Sequence, residues 1–350
     1  MPVSPTPRAA EPPADEHAAH LQALSRPGAP LAADSPHATV NNPRWFVRRH
    51  GRPIALAERR VLHEKLLANW RADVEAATQK RAIVLAGPPG AGKSTALRAL
   101  APASTGPGAT WRTVNSDAFK DLLLRAALDE GTYEELVPPP LAELAAAGER
   151  FWPRELAALV HAEAGMLARE AIETTIAEGE NVVIDGTLSN AAGAHALLER
   201  LATAGYSVHI VAVEAPHDVV SARVTGRWRA DYLAAERGTA EDPAVAELGG
   251  RWVPSEVVHA LFADENAHES VCASVARAIA DRHEVVREYA VYRVAEPEGE
   301  PKLVEQRGRV HGSGLLDPET YRAARTSQAA QPQPQPRRSG AWPDRGSERG

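Results

Sequence analysis

The sequence predicts an α/β protein, a mostly parallel sheet with helices on both faces. Three observations carry that prediction. Ala82-Ile83-Val84-Leu85-Ala86, Asn181-Val182-Val183-Ile184 and Tyr206-Ser207-Val208-His209-Ile210-Val211-Ala212-Val213 have the length and apolar, β-branched content of buried strands. Amphipathic stretches at helical spacing separate these runs. Between the first run and the helix after it lies Gly87-Pro88-Pro89-Gly90-Ala91-Gly92-Lys93-Ser94-Thr95, with the spacing G-x-x-x-x-G-K-[ST]. Alternating elements of this kind fold as parallel strands with right-handed crossovers, covered on both sides.

That loop makes the fold one of P-loop NTPase or kinase type. Successive backbone N–H groups turn inward as an anion nest, and the following helix adds the positive end of its dipole. Lys93 is placed to reach β and γ phosphates, and the Ser94 hydroxyl to ligate Mg²⁺. The expected ligand is therefore a nucleotide, cradled by residues 87–95.

Composition narrows the rest. A chain of 350 residues with 44% hydrophobic residues has material for one large core plus tails. A net charge of −7 gives no bulk attraction for a polyanion, so nucleic acid is not an expected partner. Cys272 is the only cysteine, which excludes an intrachain disulfide framework and fits a reducing compartment. No apolar run approaches a membrane span and the N-terminus lacks an apolar signal core, so the expected location is cytoplasmic.

In chain order, residues 1–43 are rich in Pro, Ala and polar residues without a sustained period, and are expected to be a disordered tail. Trp45 and Phe46 are expected to pack. Leu62, Leu66, Trp70 and Val74 give an amphipathic helix within 56–79, laid on the sheet ahead of the loop. The helix opened by Lys93 is expected to stop at Pro102. Trp111 to Asn115 reads as a strand running into Ser116-Asp117-Ala118-Phe119-Lys120. A carboxylate at the end of such a strand lies where open α/β sheets bind ligands, and Asp117 can equally cap the next helix.

Residues 131–153 are broken by Gly131, Pro138-Pro139-Pro140, Gly148 and Pro153 and read as loops around a short turn; a helix is expected from Arg154 to Glu178, with His161 and Glu163 near its start. Asp185 ends the Val182-Val183-Ile184 strand before Gly186-Thr187. An acid there on the strand beside a phosphate loop holds Mg²⁺ or its water, while the bland role is a turn Asp. Arg223, Arg227, Arg229, Arg237 and Arg251 sit in one helix-plus-loop segment, either a solvated face or a lid whose guanidiniums close on a phosphoryl group. Val285 to Val294 and Lys302 to Gln306 read as a hairpin, and residues 313–350, with Gln331-Pro332-Gln333-Pro334-Gln335-Pro336, as a second disordered tail. A single kinase-like domain is thus expected over 44–312.

Taken together, Gly87 to Thr95, Asn115 to Lys120, Val183-Ile184-Asp185-Gly186-Thr187, Arg227-Trp228 and Arg251-Trp252-Val253-Pro254 followed by His259 resemble the zeta toxin family over roughly residues 60–307. The resemblance implies ATP- and Mg²⁺-dependent phosphorylation of a hydroxyl on a nucleotide sugar, UDP-N-acetylglucosamine in the members that define the activity. It makes Asp117 the general base, Lys93 and Ser94 the phosphate and metal contacts, and Arg227 and Arg251 the transition-state arginines, with Arg223 and Arg229 as alternatives. Asp185 falls at the metal position, and Asp117, Phe119, Lys120, His161, Glu163, Asp185 and Thr187 on the substrate side. It further implies a small helical antitoxin as partner. Two other readings stay open: a kinase for a nucleotide, dinucleotide or antibiotic hydroxyl, and an ATP-binding switch or interaction protein that phosphorylates nothing small.

Overall fold

A computed structural model describes residues 14–104, 110–264, 267, 269–310 and 312–329. In chain order the elements are α1 (Ala14–Leu24), β1 (Phe46–Arg49), β2 (Arg52–Ala55), α2 (Ala57–Ala72), β3 (Arg81–Ala86), α3 (Lys93–Ser104), β4 (Arg112–Asn115), α4 (Ser116–Asp129), α5 (Pro139–Ala146), α6 (His161–Glu178), β5 (Val182–Asp185), α7 (Ala191–Thr203), β6 (Ser207–Glu214), α8 (His217–Glu236), α9 (Pro243–Leu248), α10 (Ser255–His259), α11 (Val271–Arg282), β7 (Val286–Arg293), β8 (Lys302–Gly308) and α12 (Pro318–Ala329).

Six strands form the sheet in the order β4-β5-β3-β6-β7-β8, parallel from β4 to β7 and closed by antiparallel β8. Successive side chains of a strand point to opposite faces, and each face here has its own core. Ala82, Val84 and Ala86 of β3 join Val182, Ile184, Val208 and Ile210 on one side, where the helices supply Leu66, Phe119 and Leu167. Ile83 and Leu85 join Val183, Val211 and Val213 on the other, with Ala96 and Leu100 from α3. The continuous apolar runs are thus strands buried on both faces.

Several boundaries differ from the sequence expectation. Residues 14–43 are built into the molecule: α1 and the segment after it bury Leu21 and Leu31 completely in a cluster with Leu156, Leu159, Trp228 and Tyr232. The expected disordered tail over 1–43 is therefore corrected from Ala14 onward, since these scattered leucines fill a hollow made by distant segments. A short hairpin, β1–β2, turning at His50-Gly51 with φ of 48° and 76°, follows where no strand was expected.

Helix α2 ends at Ala72, leaving Val74 outside it, because residue 77 already bonds the loops before β4 and β5 through Thr110 and Asn181. Helix α3 runs past Pro102 to Ser104. The expected start of α6 at Arg154 moves to His161, preceded by a 3-10 turn over Pro153–Leu156. The Leu159 carbonyl accepts instead from Thr39 N at 2.9 Å, which ties the N-terminal segment to this turn. Residues 131–153, read as loops, contain α5 and a 3-10 turn over Tyr133–Leu136. In the expected second tail, α12 packs Tyr321 against Gly308 of β8. The expectations for residues 1–13 and for the Gln-Pro stretch lie outside the described residues.

Candidate active site

The carboxyl ends of β3, β4 and β5 open into a cleft of about 1110 Å³. Strand β3 delivers the phosphate loop. Gly87 has φ +144°, and a Cβ there would lie 2.3 Å from the Val213 carbonyl oxygen, so only glycine permits the turn. Its N–H donates to the Thr187 carbonyl at 3.1 Å, locking the loop to the end of β5. Pro89, Gly90, Gly92, Lys93, Ser94 and Thr95 line the cleft, whereas Ala91 is buried beneath the loop in the core.

Lys93 Nζ donates to the carbonyls of Gly87 at 3.1 Å and Pro88 at 3.3 Å. Burial holds its amine below the ordinary lysine value, although Asp185 and Asp117 act to raise it. These carboxylates are therefore near enough to share its charge.

Asp117 enters from β4 through the first turn of α4. The cap of that helix is Asn115, whose side chain accepts from Asp117 N at 2.8 Å, so the Asp117 carboxylate is released from capping. It accepts from Lys120 Nζ at 2.9 Å and has Arg251 Nη1 at 3.9 Å, with its side chain 46% exposed to the cleft. Burial alone would raise the Asp117 carboxyl, but Lys120, Arg251 and Lys93 outweigh it and hold the group well below the usual carboxylate range. It is ionised at neutral pH.

Asp185 accepts from Asn115 Nδ2 at 3.0 Å. Its carboxyl is pushed up by burial and by Asp117, with Lys93 opposing. A buried carboxylate incompletely neutralised by its surroundings suits a cation, and Ser94 lines the same cleft. Among the described residues no cluster of three or more His, Cys, Asp or Glu makes a metal cage. That donor set fits Mg²⁺, which is held by one or two protein oxygens together with phosphates and water.

The arginines separate by role. Arg227 faces the cleft and acts on Lys93. Arg251 donates from Nη2 to Asp121 at 2.5 Å, and Arg154 donates to the same carboxylate at 2.7 Å, an ionic cluster one helical turn from Asp117. Arg223 donates to the carbonyls of Gly90 at 3.2 Å, Pro297 at 2.7 Å and Gly299, clamping the β7–β8 loop onto the phosphate loop. Arg229 pairs with Asp15 of α1.

His161 lines the cleft and stays neutral at pH 7, lowered by burial and by Lys120. Thr187 lines it as well, hydrogen-bonded to Ser189 Oγ at 3.0 Å. Two expected substrate contacts are corrected. Phe119 is fully buried in the core against Trp70, because it faces the sheet side of α4. Glu163, also fully buried, is held by Arg59 at 2.5 Å and His63 at 2.6 Å on the α2 side of α6.

The sequence reading missed Asp121, although Asp117-x-x-x-Asp121 is a helical i,i+4 pair that marks one face. It also missed the stretch 25–34, of which Ser25, Leu31, Ala32 and Asp34 line the cleft; no periodicity signals it.

Comparison with known proteins completes the picture. The zeta toxin family model matches residues 66–296. The PezAT toxin–antitoxin system of Streptococcus pneumoniae is similar in structure at 16% identity, over 70% of this chain and 80% of that one, with a TM-score of 0.43. A complex of AvrRxo1-ORF1 and -ORF2 with ATP is similar at 18% identity, over 77% and 73%, with a TM-score of 0.42. A putative kinase from Chloroflexus aurantiacus is 20% identical over 52% and 75%, with a TM-score of 0.28. No curated protein matches the chain in sequence. With more than half of its length matched by the family model, the chain belongs to the zeta toxin family.

Proposed function

We propose that the protein transfers the γ-phosphoryl group of ATP to a hydroxyl of a nucleotide sugar, with UDP-N-acetylglucosamine as the first candidate. The observation that carries this reading is that an ionised Asp117, freed from capping by Asn115, lines the same cleft as Lys93 of the phosphate loop. Transfer breaks the bond between the γ phosphorus and the β–γ bridging oxygen, forms one from the acceptor oxygen to the γ phosphorus, and releases ADP. The hydroxyl proton goes to Asp117. With its low proton affinity this carboxylate first orients the hydroxyl, and takes the proton as the new bond makes that oxygen acidic.

Lys93, Arg227 and Arg251 balance the charge on the transferring group. Arg251 is held for that work by Asp121, which leaves its Nη1 beside Asp117 with no hydrogen-bond partner among the described residues. Ser94 and Asp185 would hold Mg²⁺, which when bound neutralises charge on the β and γ oxygens. His161, Lys120 and Thr187 are the acceptor-side contacts. A small helical antitoxin that obstructs the ATP site is the partner this reading expects.

Incubation with ATP labelled in the γ phosphate and a panel of sugar nucleotides, nucleotides, dinucleotides and antibiotics, followed by mass spectrometry, tests the proposal. Label on the sugar nucleotide supports it. Label on another acceptor moves the substrate, and ATP binding without transfer to any acceptor favours a switch protein.

A further inference from the structure

The two ends of the cleft differ in chemistry. Its lining cations, Lys93, Lys120, Arg223, Arg227 and Arg251, come from the phosphate loop, α4, α8 and the segment before α10. Residues 25–34, which precede the matched family span by more than thirty positions, bring none to the lining. Their contribution is Ser25, Pro27, Leu31, Ala32, Ala33 and Asp34, and beside them stand Trp252, Glu256 and Val257. Phosphates belong at the cationic end. An uncharged ring bearing hydroxyls belongs at the other, where apolar surface is interrupted by a few polar groups.

Among the described residues, two of those polar groups have no hydrogen-bond partner. Ser25 is only 6% exposed and its hydroxyl makes no hydrogen bond. Trp252, packed in the same cluster as Leu31, has an indole N–H in the same condition. A buried donor left unmatched is destabilising, and a ligand oxygen brought within reach of it relieves that.

The segment also stands on the Asp117 side. Leu31 packs with Leu156 and Leu159, in the turn whose Arg154 bonds Asp121 one turn beyond Asp117. Its position is fixed from α1, on its N-terminal flank. His17 is clamped by Glu149 at 2.6 Å and Glu155 at 3.0 Å, and Gln22 Nε2 donates to Glu256 at 2.7 Å.

We infer that residues 25–34, with Trp252 and Val257, form an acceptor subsite for the uncharged, hydroxyl-bearing ring of the substrate, and that the Ser25 hydroxyl is a specificity-determining contact in it. The inference rests on the kinase reading above. It goes further in assigning acceptor choice to a segment outside the family pattern, with ATP left to the phosphate loop.

The test uses the full chain with ATP and UDP-N-acetylglucosamine. Ser25→Ala removes one neutral hydrogen bond and raises KM for the sugar nucleotide about 3- to 10-fold. Ala33→Trp adds bulk at an exposed position of the wall and raises it at least about 10-fold. KM for ATP stays within about twofold in both variants, and matched thermal unfolding shows that both are folded. In hydrogen exchange, ATP alone protects residues 87–95 and not 25–34, and adding the sugar nucleotide protects 25–34. Unchanged acceptor KM in both variants, a parallel rise in KM for ATP, or a higher kcat at unchanged KM overturns the inference. If the wild-type chain phosphorylates no acceptor, the kinase reading fails separately and exchange decides this one. Protection of 25–34 that needs the sugar nucleotide upholds the wall; protection by ATP alone, or by neither ligand, overturns it.

Discussion

The phosphate wall of the cleft comes from one stretch, residues 87–95, of which Pro89, Gly90 and residues 92–95 line it, whereas the wall facing it gathers side chains from residues 25–34, 157–161 and 251–257. The first is held by backbone: the Gly87 turn, the Gly87–Thr187 hydrogen bond and the start of α3. The second is held by side-chain links between residues more than a hundred positions apart, such as His17 with Glu155, Gln22 with Glu256 and Asp121 with Arg251. A backbone-built site grips what all its ligands share, here phosphate. A site assembled from side chains can change its ligand by changing one segment while the chemistry opposite stays intact.

That contrast is broken most severely at the point where the walls meet. Lys93→Ala is expected to cut phosphoryl transfer by about 10³-fold or more, because the charge on the transferring group loses its nearest cation. Asp117→Ala should lower kcat as deeply while ATP affinity changes by less than about threefold, since its carboxylate serves the acceptor. Steady-state kinetics and equilibrium ATP binding separate the two. An Asp117→Ala variant with wild-type kcat removes the base assignment.

How much of each wall could be read from sequence follows from the same contrast. The placement of Lys93, Ser94 and Asp185 in one cleft was legible because a phosphate loop fixes residue type and spacing and a strand end fixes position. The sheet was legible too, since its apolar runs are buried on both faces. The N-terminal wall was not. Leu21 and Leu31 follow no period because they fill a hollow shaped by Leu141, Trp152 and Trp228, and composition alone reads Pro- and Ala-rich chain as unfolded. Glu163 misled for a related reason: an acid near the start of a helix looks like a solvated or ligand-facing group, and only its partners on α2, a hundred residues away, show that it is interior.

Glu163 gives the next largest effect, on stability. Burial favours its neutral form, yet His63 and Arg59 more than offset that and bring its carboxyl from the ordinary 4.5 to about 2. The folded value lies below the unfolded one, so its contribution, about 3 kcal/mol, is fully present above pH 4.5 and lost as pH falls from 4.5 towards 2. Glu163→Gln is expected to destabilise the protein by about 3–5 kcal/mol, leaving Arg59 buried without its charge partner, and to flatten the acid limb of stability against pH. Chemical denaturation at pH 7 and across pH 2–5 measures both. KM for either substrate should stay within about twofold, which marks Glu163 as a structural group behind the cleft.

The smallest expected effect sharpens the contrast, because it loosens one wall alone. Burial favours neutral His17, but Glu155 and Glu149 outweigh it and raise its pKa above the ordinary 6.5. His20 also bonds Glu149; the rings of Phe151, Trp228 and Tyr232 pack on His17, and the Trp228 indole shares the Glu155 carboxylate. A folded value above the unfolded one means that the His17 contribution is complete below pH 6.5 and fades as pH rises through the folded value. Hydrogen exchange of residues 14–34, corrected for intrinsic rates, should therefore quicken on the alkaline side while residues 81–100 keep their protection. His17→Ala, which strips Glu155 of one buried partner, should speed exchange in that segment at every pH, at a cost of about 1–3 kcal/mol, and abolish the extra alkaline loosening. Loosening of both walls together would mean that they unfold as one unit, and that acceptor choice cannot be altered without disturbing the grip on phosphate.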